Sequence, residues 1–92
     1  AIGRAERRDE RRPRVSAAFA AEDVESALDL LELMELGWHD CYGEVTPSED
    51  RVDDMILISD GTVSGLIAAC RLATRDWRDL QVAASVRRGS GT

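Results

Sequence analysis

This chain predicts an all-α fold, a three-helix bundle, and three observations carry the prediction. Two apolar stripes recur at alternating spacings of three and four residues, one from Ala20 to Trp38 and one from Val63 to Ala84. Such spacing keeps side chains on one face of a helix. Between the stripes lies a short segment bounded by helix start and stop signals, Thr46-Pro47-Ser48-Glu49 and Asp60-Gly61. Strand signals are weak throughout, and Glu44-Val45-Thr46 is too short to make one.

Charge divides the chain before any helix begins. Residues 1–14 hold six arginines against Glu6, Asp9 and Glu10, a net of +3, whereas residues 15–86 hold fifteen acids against four arginines, a net of −11. Each part seeks a partner of opposite sign, the other part included. Residues 1–15 are therefore expected to form an Arg-rich arm, flexible or docked on the acidic body. The like-charged pairs Arg7/Arg11 and Arg8/Arg12 oppose a helix there, and Pro13 makes Arg12 a break.

The first helix is predicted from Ser16, a candidate N-cap, to Trp38 or His39. Its seam comprises Ala20, Val24, Ala27, Leu31, Met34 and Trp38, while Glu22, Glu25, Asp29 and Glu32 form an acidic stripe on the far side. Leu30, Leu33 and Leu36 fall outside the seam, and two apolar faces on one helix require two neighbours.

The second helix is predicted with Thr46 as N-cap, Pro47 at the first helical position and Glu49 closing a capping box. It runs through Val52, Met55, Ile56 and Ile58 to about Ser59, where Gly61 suits a left-handed cap.

Thr62 is expected to cap the third helix, which extends to about Arg88. Its seam is Val63, Leu66, Cys70, Ala73, Trp77, Leu80 and Ala84, with Trp77 needing a hole on the first helix. Arg71, Arg75 and Arg78 form a basic band that could answer the acidic stripe or a partner. The resulting division is an arm at 1–15, a helical bundle at 16–88 and a flexible tail at 89–92.

A folding part of about seventy residues is short enough that oligomerisation often supplies missing burial. The surplus apolar side chains Leu30, Leu33, Leu36, Ile67 and Leu72 are the expected dimer interface.

Reactive side chains cluster only at Trp38-His39-Asp40-Cys41-Tyr42-Gly43-Glu44. Imidazole, thiolate and carboxylate are all zinc ligands, but the spacing matches no zinc pattern. A Cys41–His39 nucleophile and base would point to different sides of a helix and lack an orienting third group. Neither a catalytic residue, a metal ligand nor a cofactor is predicted. The aromatic members suit recognition better, with Trp38 and Tyr42 as amphipathic anchors and His39 and Glu44 as polar rim. Carboxylates at 49, 50, 53, 54 and 60 lack the order of a calcium loop, and Gly61-Thr62-Val63-Ser64-Gly65 lacks the lysine of a phosphate loop.

No apolar run approaches the 18 or so residues of a membrane span, and no signal peptide is evident. Cys41 and Cys70 are too few for a disulfide framework, which favours a reducing cytoplasmic setting. The acidic body disfavours nucleic acid, which only the arm could touch, weakly and with strong salt dependence. All twelve basic residues are arginine, a composition typical of GC-rich coding.

The stretches Gly37-Trp38-His39-Asp40-Cys41-Tyr42-Gly43-Glu44-Val45-Thr46-Pro47 and Asp76-Trp77-Arg78-Asp79-Leu80 resemble segments of small uncharacterised all-helical proteins of high-GC actinobacteria. The resemblance covers about residues 24–84, leaves the arm outside, and implies a bacterial cytosolic setting without an activity.

The expected function is a non-enzymatic protein–protein interaction module, an acidic helical homodimer. One alternative is an acidic inhibitor, an immunity protein or antitoxin, that covers a basic partner such as a nuclease. The other is a metal or redox site in the 38–44 loop.

Overall fold

The computed structural model describes residues 3–90, and every regular element among them is helical. The order is α1 (Arg4–Ala18), a 3₁₀ turn (Ala21–Asp23), α2 (Val24–Tyr42), α3 (Glu49–Ser59), α4 (Val63–Arg75) and α5 (Trp77–Ser90). The all-α expectation holds. In place of three helices the described residues form five, because the chain breaks at two points through which the predicted first and third helices ran. Residues 1–2 and 91–92, including the end of the expected tail, lie outside the described residues.

The first break is at Phe19-Ala20, both in extended conformation, where Phe19 turns its ring into the core. Ser16 is thus inside α1 and caps nothing. The second break is Asp76, whose extended backbone stops α4. Its carboxylate accepts the Arg78 N–H at 3.0 Å, the bond of an N-cap, and so starts α5. The break takes Trp77 off the seam and leaves it at the surface, in no hole on α2.

The expected arm is a helix that crosses the predicted 15/16 boundary. Pro13 lies within it instead of ending it. Its missing N–H costs one helical bond, and the exposed ring meets solvent. What sustains α1 is long-range, since its arginines reach carboxylates of α2 and α3. At the other end, α5 includes Gly89 and Ser90 of the predicted tail.

α1 packs on α2, α2 on α4, and α3 on both α4 and α5. Most of the predicted seam positions form the middle of the molecule: Val24, Ala27, Leu31, Met34 and Trp38 of α2 share one core with Leu66 and Ala73 of α4 and Leu80 of α5, joined by Ala69. Ala20, by contrast, is exposed, and Val63 and Cys70 are only half-buried. Val52 and Met55 of α3 complete the core, while Val15 and Phe19 close it beside α1. Each fully buried large side chain contributes about 1.5–3 kcal/mol. The whole measures 36 × 31 × 22 Å.

Local chemistry explains the ends. α2 extends one turn beyond the predicted stop and ends at Gly43, whose φ of 73° is the left-handed conformation of a C-cap. α3 is capped by Ser48, which accepts the Arg51 N–H at 3.4 Å, and not by Thr46. Pro47 precedes the cap and is buried. Asp60 and Gly61 both adopt positive φ between α3 and α4. A Cβ at Gly61 would lie 2.6 Å from the Ala18 carbonyl oxygen, so the end of α1 seats directly on this turn. Thr62 caps α4 as predicted, accepting the Gly65 N–H at 3.0 Å.

Candidate functional site

Three of the four aromatic residues meet at one end of the bundle. The last turn of α2 carries Trp38 and Tyr42 at i,i+4, with ring centroids 4.5 Å apart and planes tilted by 54°. Gly43 turns the chain so that Glu44 reaches back, and its Oε1 accepts the Trp38 indole N–H at 3.0 Å. The Tyr42 hydroxyl donates to the Ala73 carbonyl at 2.6 Å and accepts the Trp77 N–H at 3.1 Å, which pins the α4–α5 break to α2. Arg51 of α3 lies 5.6 Å over the Trp77 ring, within cation–π range. These residues, with Thr46, Pro47 and Ser48, line a groove of about 420 Å³.

Of the predicted contact residues, Trp38, Tyr42 and Glu44 thus converge on one groove. His39 is exposed and does not line it. Arg51 and Trp77 line it too, neither of them predicted as a contact residue: Trp77 was placed on the third-helix seam and Arg51 in no motif. Their place depends on the Asp76 break and on α3 packing against α5, neither of which local pattern reports.

Cys41 is exposed, with its thiol 3.6 Å from the Thr74 carbonyl. Burial pushes the Cys70 thiol up to about 11. Among the described residues no three His, Cys, Asp or Glu side chains come together in a way that could hold a metal ion. Likewise, no helix among them is long and apolar enough to cross a membrane.

A second, separate groove of about 260 Å³ runs between α2 and α4. Leu30, Leu33 and Ile67 of the expected dimer interface line it, with Met34, Gly37, Cys70, Arg71 and Thr74. Leu33 is 63% exposed and Ile67 41%. Leu36, half exposed, lines a neighbouring depression with Arg4, Asp29 and Glu32. Leu72 packs partly buried against the core and does not line the groove.

The largest departure from expectation is electrostatic. The acidic stripe of α2 is answered by α1, not by the band at Arg71, Arg75 and Arg78. Arg8 contacts Glu25, Asp29 and Glu32 at 3.1, 2.8 and 3.2 Å, and Arg12 also pairs with Glu25. Glu35 and Arg11, each 1% exposed, form the buried centre. Glu35 takes two bonds from Arg7, at 2.6 and 3.0 Å, and one from Arg11 at 3.0 Å. Thr46, free of the capping role, donates to Glu35 and accepts from Arg11, both at 3.0 Å. Arg11 and Arg14 continue to Glu49, and Arg14 to Asp53. Burial alone would raise the Glu35 carboxyl, but hydrogen bonds from Arg7 and Thr46 and the nearby Arg11 charge hold it below its ordinary value of 4.5. The same opposition, with Arg11 and Arg14 prevailing over burial, holds Glu49 low.

A smaller cluster joins α3 to α5. Buried Asp54 accepts from Arg88 at 2.8 Å. Its other oxygen faces Arg51 Nε at 3.1 Å without hydrogen-bond geometry, and both atoms are buried with no other partner. Arg78 pairs locally with Asp76. Arg71 and Arg75 make no ion pair among the described residues.

No family model, curated protein or solved structure matches this chain.

Proposed function

We propose that this protein is a non-enzymatic interaction module that pairs with a second copy of itself through the α2–α4 face and presents the aromatic groove to a further partner. The observation that carries the reading is the 260 Å³ groove, where Leu33 and Ile67 stand exposed beside an arginine without a carboxylate. Apolar surface contiguous across two helices marks an interaction site on a small protein.

A second copy is the occupant whose chemistry fits. In a two-fold pairing the same patch meets itself, so it must carry both signs of charge at its rim. Arg71 and Arg75 on α4 supply the positive side. Asp40, exposed and seven residues beyond Leu33 on α2, supplies the negative one. A standard interface covers about 800 Å² per partner, a modest fraction of the 5346 Å² surface. The aromatic groove shares no lining residue with this face and stays open in the pair. Free thiols at Cys41 and Cys70 fit a reducing, cytoplasmic setting.

Sedimentation equilibrium on Leu33→Glu and Ile67→Glu tests the pairing. Each places a carboxylate in the exposed pairing face and is expected to give monomer with unchanged helicity. A dimer that persists in both variants would remove the α2–α4 face from consideration.

A further inference from the structure

We propose that the carboxylate face of α2 and α3 beneath α1 is a receptor for an arginine-striped helix of another protein, with α1 occupying it as a tethered stand-in. This reaches beyond the self-pairing reading and uses a different surface.

The first argument is register. Arg4, Arg7, Arg11 and Arg14 are spaced 3, 4, 3, so they form one stripe along α1. The stripe meets Glu35, Glu49 and Asp53 in order, and the parallel pair Arg8/Arg12 meets Glu25, Asp29 and Glu32. Every arginine of α1 is engaged. Planar guanidinium forks fit carboxylates in pairs, as Arg7 does on Glu35, so the face reads arginine in a helical pattern.

The second argument is what the contact lacks. From Arg4 to Arg14 the only apolar residues of α1 are Ala5 and Pro13, both exposed. Its buried apolar anchors, Val15 and Phe19, sit at the C-terminal end beside the extended hinge at Phe19-Ala20. The first turns of α1 are therefore held by charge and can lift without opening the core. Lifting returns both Arg11 and Glu35 to water together, which costs less than deleting either partner from a closed site. The exposed pairs, such as Arg12 with Glu25, are weak and screened by salt.

An incoming helix must compete with a tether whose effective concentration is of millimolar order. Its advantage is steering, since the body it approaches is strongly acidic. The expected partner thus carries a helix with arginines at alternating three- and four-residue spacing and little apolar surface.

The test uses full-length protein and, as the probe, a fluorescent peptide of residues 3–14, which omits the core anchors Val15 and Phe19. Arg8→Ala with Arg12→Ala weakens only the tethered copy and touches no core residue. The peptide is expected to bind this variant at least about tenfold more tightly than the unaltered chain. Binding should weaken at least about tenfold between roughly 50 and 500 mM NaCl. A peptide carrying Arg7→Ala and Arg11→Ala should not bind, and amide exchange in α1 should accelerate in the variant. Failure of the peptide to bind the variant at millimolar concentration overturns the proposal. So does binding indifferent to Arg7 and Arg11, or α1 amides as protected in the variant as before.

Discussion

Replacing Glu35 by leucine tests the electrostatic centre at nearly constant volume. The carboxylate accepts three bonds from Arg7 and Arg11 and one from Thr46, and Arg4 lies 3.5 Å away. Removing it leaves Arg11, 1% exposed, beside an apolar side chain and held only from the Glu49 and Thr46 side. Bonds to charged groups are worth about 1.5–3 kcal/mol each, and their simple sum would overshoot. The loss has a ceiling, because α1 can lift and let its arginines hydrate. Breaking a buried pair by deleting one partner costs about 3–5 kcal/mol, a large share of the roughly 5–15 kcal/mol that holds such a domain together. With a urea slope near 1 kcal/mol/M, the midpoint falls by about 3 M or more. Circular dichroism at 222 nm through a urea titration measures it, and α1 is expected to melt before the rest. Arg12→Ala is the comparator: its pair with Glu25 is largely exposed, and it should cost less than about 1 kcal/mol. If Glu35→Leu costs no more than Arg12→Ala, the buried ion cluster does not hold α1 and the reasoning fails.

Three further outcomes are expected. Glu35 and Glu49 are held below 4.5 in the folded chain, so the stability they contribute is complete above that value and is lost as pH falls through their lower folded values. Amide exchange should therefore show α1 loosening as pH falls below 4.5 while α2 through α5 stay protected; uniform protection throughout the acid titration would oppose this. Tyr42→Phe deletes the hydroxyl that joins Ala73 to Trp77, and should cost about 1–2 kcal/mol and shift Trp77 emission. Gly61→Ala forces a Cβ against the Ala18 carbonyl at positive φ, so its urea midpoint should drop by the equivalent of about 1–3 kcal/mol.

The heptad seams were legible because burial of one helix face leaves a local periodic trace, and Leu31, Met34, Leu66 and Leu80 lie buried as that trace requires. α1 was not legible. Its like-charged neighbours and Pro13 argue against a helix within any short window, and the carboxylates that outweigh them lie thirteen to thirty-nine residues away in the chain. At Asp76 the signal was present but overridden: an aspartate before Trp77 is a good N-cap, yet the seam ran on past it. Thr46 was the expected cap of α3, but its hydroxyl is engaged by Glu35 across the fold and Ser48 caps the helix instead. The aromatic groove was half readable for the same reason. Trp38, Tyr42 and Glu44 share one local segment, whereas Arg51 and Trp77 reach it through tertiary packing.

Absolute mass by light scattering, over a range of concentrations and at high salt, tests the self-pairing most directly. A face built on Leu33 and Ile67 is apolar at its centre, so salt should leave it intact. A mass of about twice the 10.1 kDa chain at roughly 500 mM NaCl is the expected result. A single-chain mass at every concentration would contradict it and leave the α2–α4 groove without the occupant assigned to it.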